Sequence, residues 1–333
     1  MVRLAQNDPE GAIAACVWAM VLGWCGVQAT LNMGYAAVTA SVPDQVPVPR
    51  RGLVGGLIAV AGTVGVLLGV QIAAWTGSIA QGYVVIAVVL VVLALPYLVG
   101  SRDLALPEGY EPPAFSAGAF LRQFWVSPRD HPDFGWAWIT RFLVNLGNFI
   151  ALSYFLYYLT DGLGFSDEEA SDRFAMLTMI YGVTIVLTAI VVGAWSDRVG
   201  RRKVFVIWSG IVVSVSAAIL ACVQTWPATL LAAAVLGAGY GIYQAVDFAL
   251  ITQVLPGATE RAKDLGVINI AAALPQVVAP AVVGIVITAV RGLGLPVTTH
   301  GDGFSVGYGL VYAVAFLASV LGSVLVTRIR SVP

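Results

Sequence analysis

An all-α bundle of membrane-spanning helices is the fold class this sequence predicts, and three observations carry it. Of 333 residues, 59% are hydrophobic and 11% charged, with a mean hydropathy of +0.88. Soluble domains carry about 25% charged residues, so no water-soluble core accounts for this chain. A spanning helix needs about 20 apolar residues, and the sequence offers nine such stretches, three before and six after a polar interval. Lys and Arg collect at alternate interspan segments, thirteen on one side and three on the other, the asymmetry that marks a cytoplasmic face.

The first span covers 12–42. Within it Gln28, Asn32, Tyr35 and Thr39 follow i, i+4, i+7, i+11 and share one helical face. Arg50 and Arg51 precede the second span, 52–75. Its Gly55, Gly62 and Gly69 repeat every seven residues, and Gly65 with Gly69 forms a G-x-x-x-G, a pattern that permits close helix approach. Only the cluster Thr76, Gly77, Ser78, Gln81 and Gly82 separates it from the third span, 83–99. From 101 to 133 the composition turns polar, with Pro107, Glu108, Glu111, Pro112, Pro113 and Arg129, and reads as a cytoplasmic linker. There Phe115, Phe120, Leu121, Phe124 and Trp125 interleave with Arg122 and Gln123, as in a short amphipathic helix lying on a membrane surface. The chain thus divides into a partial first half at 1–100, the linker at 101–133 and a six-helix half at 134–333.

The fourth span, 134–159, carries a second polar stripe, Arg141, Asn145 and Asn148. Between the fifth span, 174–195, and the sixth, 204–223, lies the run Gly-Ala-Trp-Ser-Asp-Arg-Val-Gly-Arg-Arg-Lys, with Gly193, Asp197, Arg198, Gly200, Arg201, Arg202 and Lys203. Its glycines let the chain reverse tightly, four cations hold the turn on the cytoplasmic side, and one acid is left to pair with a neighbouring helix end. The seventh span, 228–255, carries Tyr240, Gln244 and Asp247; the eighth, 265–290, carries Asn269 and Gln276. Pro275 and Pro280 interrupt the eighth, either as a flexible break that shows carbonyls to a solute or as a fixed kink. The ninth span is 306–326. With the charged turn inside, nine spans place the N-terminus outside and the C-terminus in the cytoplasm. Cys16, Cys25 and Cys222 lack metal-type spacing and read as packing residues. Residues 1–9 do not read as a secretory signal, because the apolar stretch behind them is far longer than an h-region.

The spacing Gly-x-x-x-Asp-Arg-x-Gly-Arg-Arg-Lys resembles the signature loop of the major facilitator superfamily of secondary transporters, which joins the second and third helices of each six-helix half. A weak internal repeat agrees. Tyr35, Ala36, Val38, Thr39, Val42 and Pro43 recur as Phe248, Ala249, Ile251, Thr252, Leu255 and Pro256. Aligned on that repeat, the chain resembles helices four to twelve of such a protein, so three helices of the family pattern are missing from the front. Asn32, the run Pro43-Asp44-Gln45-Val46-Pro47 with Arg51-Gly52, and the run from Val246-Asp247 to Lys263-Asp264-Leu265-Gly266 are most similar to the branch that includes sucrose and glycoside symporters. Arg50 and Arg51 crowd the wrong end of a helix dipole for positive charge, so an acid should dock there. The family pattern implies that this acid is Asp197, latching the second half onto the first in the outward-facing state.

Polar side chains inside spans are costly and face a cavity or a partner helix. Gln28, Asn32, Tyr35, Asn145, Asn148, Tyr240, Gln244, Asn269 and Gln276 are the candidate substrate-binding residues. Amides and hydroxyls suit a neutral, hydroxyl-rich solute, whose hydroxyls both give and accept hydrogen bonds; the alternative for each is interhelical glue, at about 0.6 kcal/mol per contact. Arg141 and Asp247 are the deeply placed charges. Asp247 lies about 13 Å along its helix from Pro256 at 1.5 Å per residue, a depth that matches Arg141, and mutual pairing is the natural resolution. Three roles stay open: a structural pair, a gate that breaks during the cycle, or a proton carrier in Asp247. The sequence contains no H-E-x-x-H, Walker or G-x-S-x-G motif, and its only histidines are His131 and His300. Neither catalysis, cofactor, metal nor nucleic acid is expected. The expected function is secondary active transport of a small, sugar-like solute across the cell membrane by alternating access, with or without coupled protons. The competing class is a transport-inactive relic, or a scaffold or regulatory partner of a full-length transporter.

Overall fold

Helices organise the computed structural model, which describes residues 9–76, 78–100, 116, 118, 129–254, 261–298 and 304–331. Among the described residues nine helices reach 20 residues or more: α1 (Pro9–Gln45), α2 (Arg51–Trp75), α3 (Ile79–Gly100), α4 (Pro132–Ser153), α5 (Asp167–Val199), α6 (Arg202–Cys222), α7 (Trp226–Val254), α8 (Arg261–Gly292) and α9 (Val306–Leu325). By length and apolarity seven could cross a membrane, eight when α4 and its bent continuation count as one. The remaining helix, α2, contributes a shorter apolar stretch, Leu53–Gly69, and so falls below the nine spans expected. The amphipathic segment expected at 115–125 lies outside the described residues, apart from positions 116 and 118.

Helix ends depart from the apolar boundaries because capping, not hydropathy, sets them. Ser166 caps α5 by accepting from the Glu169 N–H at 3.4 Å, and Asp167, Glu168 and Glu169 fill its first turn. Acids there complement the helix dipole and a Ser-x-x-Glu run is a capping box, so α5 begins seven residues before the expected span. At its other end Gly200 adopts φ +70° and donates its N–H to Ser196 O at 2.9 Å, a left-handed cap that suits glycine. The fourth span is broken. Past Ser153 come a single turn, Phe155–Tyr157, and a π turn, Tyr158–Gly162, bent by 40° from α4. Tyr158 is fully buried there, edge-on to Tyr312 and Tyr308, and the Tyr308 hydroxyl donates to Asp161 at 2.9 Å. By contrast α8 runs unbroken through Pro275 and Pro280, so neither proline breaks the helix; each only removes one N–H from the ladder.

α7 is the hub: it packs on α5 and α6 and also against α2, while α9 lies on α6 and α4, and α8 on α4. The buried side chains Val144, Ile150, Val213, Leu236, Ile251 and Tyr312 fill these seams. Glycines set the closest approaches. A β-carbon on Gly241 of α7 would stand 2.6 Å from Ile185 O of α5, and one on Gly56 of α2 would stand 2.7 Å from Ala189 O. Three of the glycines expected to serve this purpose do not: a β-carbon at Gly62, Gly65 or Gly69 meets nothing within 4 Å. At the end bearing the charged turn, Lys203 Nζ donates to Thr327 O and Ile329 O at 3.2 and 2.6 Å, and Asp133 accepts from the Arg330 and Ser331 N–H groups at 3.0 and 2.7 Å. The flank is open. None of the apolar window of α1 is buried and only 6% of that of α3; α1 packs chiefly on α8, and α3 on α2.

Candidate functional site

Four helices aim their polar stripes into one cavity of about 210 Å³. α1 contributes Asn32 and Tyr35, α4 contributes Arg141 and Asn145, α7 contributes Tyr240, Tyr243 and Gln244, and α8 contributes Asn269 and Gln276 with Ala272 and Ala273. Seven of the nine candidate substrate residues therefore meet. Gln28 and Asn148 do not line it. Gln28 sits exposed one turn back along α1, where its backbone oxygen takes the Asn32 amide at 2.8 Å. Asn148 is buried along α4 and exchanges hydrogen bonds with the Tyr181 hydroxyl at 3.1 and 3.2 Å, so it acts as interhelical glue.

Arg141 and Asp247 pair directly, Nη1 to Oδ2, with side chains only 14% and 11% exposed. At that depth each ion depends on the other. Both hydrogens of their neighbour Asn145 are used: Nδ2 donates to Arg141 O at 2.7 Å and to the Tyr243 hydroxyl at 3.2 Å, while Oδ1 accepts from the Tyr240 hydroxyl at 2.9 Å. The tyrosine rings are stacked as well. Tyr240 lies between Tyr243, 5.8 Å away at 27°, and Tyr181, 6.4 Å away at 22°. Sequence reasoning missed Tyr243, although its signal was present: positions 240, 243, 244 and 247 share one helical face. Tyr181 belongs to α5, where Thr178, Thr184 and Thr188 share its face, a stripe that sequence reasoning also passed over.

The charged turn forms a second cluster. Asp197 Oδ2 accepts the Leu53 N–H at 2.7 Å, and its Oδ1 lies 3.3 Å from Arg202 Nη2. Arg50 supplies no side-chain cap to α2, so α5 supplies the anion that this helix start lacks. Arg202 is 3% exposed and also donates to Ala249 O at 3.2 Å. Gly193 faces Gly56 across the same seam. Arg198 and Arg201 remain exposed, and among the described residues no group of three His, Cys, Asp or Glu could hold a metal ion.

A helical bundle with a polar, ion-paired cavity and an interlocked charged turn defines the class of polytopic membrane transporters. The sequence matches the Major Facilitator Superfamily over residues 137–333, more than half the chain, and the protein belongs to that family. Its fold is similar to a bacterial homologue of the iron transporter ferroportin in an outward-facing state, at 14% identity and a TM-score of 0.62, covering 98% of this chain and 76% of that one. A second similar structure is FucP, a major facilitator transporter in the outward conformation, at 15% identity and a TM-score of 0.42 over 73% of this chain and 54% of that one. No curated protein matches the sequence.

Proposed function

We propose that this protein is a secondary transporter that moves a small, hydroxyl-rich solute by alternating access, with the charged turn on the cytoplasmic side of the cell membrane. The observation that carries the reading is the convergence of amides and phenols from four helices on one cavity beside the Arg141–Asp247 pair. Such groups match hydroxyls, which both donate and accept. The volume, about 210 Å³, is below the roughly 300 Å³ at which drug-sized pockets begin, and it favours one sugar ring over two. Within the sucrose and glycoside symporter branch that the sequence resembles, this points to the smaller solutes.

Asp247 is the proposed proton carrier. Protonation would release Arg141 from its partner and leave the cation to be met by solute or water, which couples a proton to the occupancy of the cavity. Asp197 on the α2 start is the proposed cytoplasmic latch. Uptake of radiolabelled monosaccharides into liposomes holding the purified 333-residue chain, with and without an inward proton gradient, tests the reading. Saturable, gradient-stimulated uptake supports it; uptake that ignores the gradient removes Asp247 from the coupling role.

A second reading rests on the open flank of α1 and α3. Helices that bury so little invite membrane helices beside them, and the chain alone is then a transport-inactive partner of a larger assembly. Uptake that appears only when a three-helix segment from a related transporter is coexpressed favours this reading.

A further inference from the structure

We infer that Asn145 is a positioning residue that fixes the Tyr240 hydroxyl as a hydrogen-bond acceptor toward the cavity, so that the solute must present an O–H or N–H at that point. The inference rests on the proposed reading only in taking the cavity as the solute site. The argument follows proton directions. A backbone carbonyl accepts and never donates, so the Asn145 group 2.7 Å from Arg141 O is its NH2. The second hydrogen of that NH2 goes to the Tyr243 oxygen at 3.2 Å. That end of the chain of bonds is pinned by a carbonyl, so the amide cannot flip without placing its oxygen against Arg141 O. Its Oδ1 therefore faces Tyr240 at 2.9 Å, and the phenol must donate there.

Tyr240 has one proton and it is committed. What remains toward the cavity is oxygen lone pairs, on a ring held in register by the stack between Tyr181 and Tyr243. Asn145 has no free N–H to offer the cavity, yet it dictates what Tyr240 can recognise. A hydroxyl or amine is accepted at this point, whereas an ether, carbonyl or fluorine faces an acceptor with no proton to meet it.

Two measurements on the full chain in detergent test this. The first needs no solute. The phenol C–O stretch of Tyr240, isolated as the wild-type minus Tyr240→Phe infrared difference, should carry the signature of a donating phenol and should shift in Asn145→Ala; Asn145→Leu, of similar volume, repeats the measurement if the alanine variant does not fold. An unshifted band overturns the inference. The second uses D-glucose with its monodeoxy and monofluoro counterparts, read by binding competition. In the wild type, one position should tolerate fluorine no better than hydrogen, with affinity about tenfold below the parent sugar, as expected for one lost hydrogen bond. In Asn145→Ala the freed Tyr240 proton should restore the fluoro analogue above the deoxy analogue at that position. A fluoro analogue that beats its deoxy counterpart at every position in the wild type overturns the inference. If no sugar binds while the infrared shift is present, the fixed polarity stands and the sugar reading fails.

Discussion

Removing one member of the Arg141–Asp247 pair should be worse than removing both. The two side chains are 14% and 11% exposed, too little for water to replace the partner. Breaking a buried pair from one side typically costs about 3–5 kcal/mol, because an uncompensated charge is left behind, whereas removing both charges is often close to neutral. Arg141→Met keeps the length of the side chain and Asp247→Asn keeps its shape. Each single variant is therefore expected to lose about 3–5 kcal/mol and the double variant less than either, so that the coupling in a double-mutant cycle exceeds about 3 kcal/mol. Thermal unfolding in one detergent at one pH measures it. The amide introduced by Asp247→Asn can still hydrogen-bond Tyr243, so this variant should be the milder single. Losses that simply add would refute the reasoning, since they would mean that each charge is satisfied without the other.

Asp197→Asn keeps an acceptor for the Leu53 N–H but removes the charge from the α2 start and from Arg202, whose side chain is 4% exposed, at an expected cost of about 3 kcal/mol. A cysteine at Ala273 in the cavity should then react faster from the cytoplasmic side; unchanged labelling counts against the latch. Gly241→Ala and Gly56→Ala force a methyl to within 2.6 and 2.7 Å of backbone oxygens and should each destabilise by about 1–3 kcal/mol, while Gly62→Ala, which meets nothing within 4 Å, should stay near the wild type; equal melting shifts for all three would undo the packing argument. For topology, a cysteine at Val199 should be shielded from an impermeant reagent in intact cells and one at Leu293 accessible; the opposite pattern inverts the assignment.

Much of the site was legible because polar groups in an apolar span are few and their spacing fixes a face. Asn32, Tyr35, Gln244, Asn269 and Gln276 met in one cavity on that reasoning alone. Gln28 lies outside that lining because a stripe continues along the helix and a cavity does not. Asn145 shows a different limit. Its identity and register were readable, but whether its amide atoms were already consumed depends on the Arg141 carbonyl and on Tyr240 and Tyr243, which lie 95 and 98 residues further along the chain. The glycine pattern on α2 misled for a related reason. A seven-residue repeat marks one face of a helix, but only the partner's position decides which glycine matters, and Gly56 lies off that repeat. Helix ends were least legible where the apolar boundary was followed instead of the Ser166–Glu169 capping box.

α5 is a single 33-residue helix, and it carries Tyr181 of the tyrosine stack and Asp197 of the charged turn on the same rod. The sixteen residues between them span about 24 Å at 1.5 Å per residue, so a tilt of about 5° at Tyr181 carries Asp197 sideways by roughly 2 Å. A hydrogen bond of 2.7 Å does not survive that displacement. If Tyr240 meets the solute and Asp197 closes the cytoplasmic side as proposed, a substitution that re-seats Tyr240 also re-aims the Asp197 carboxylate, so a change of solute calls for compensating changes at the turn, far from any atom the solute touches.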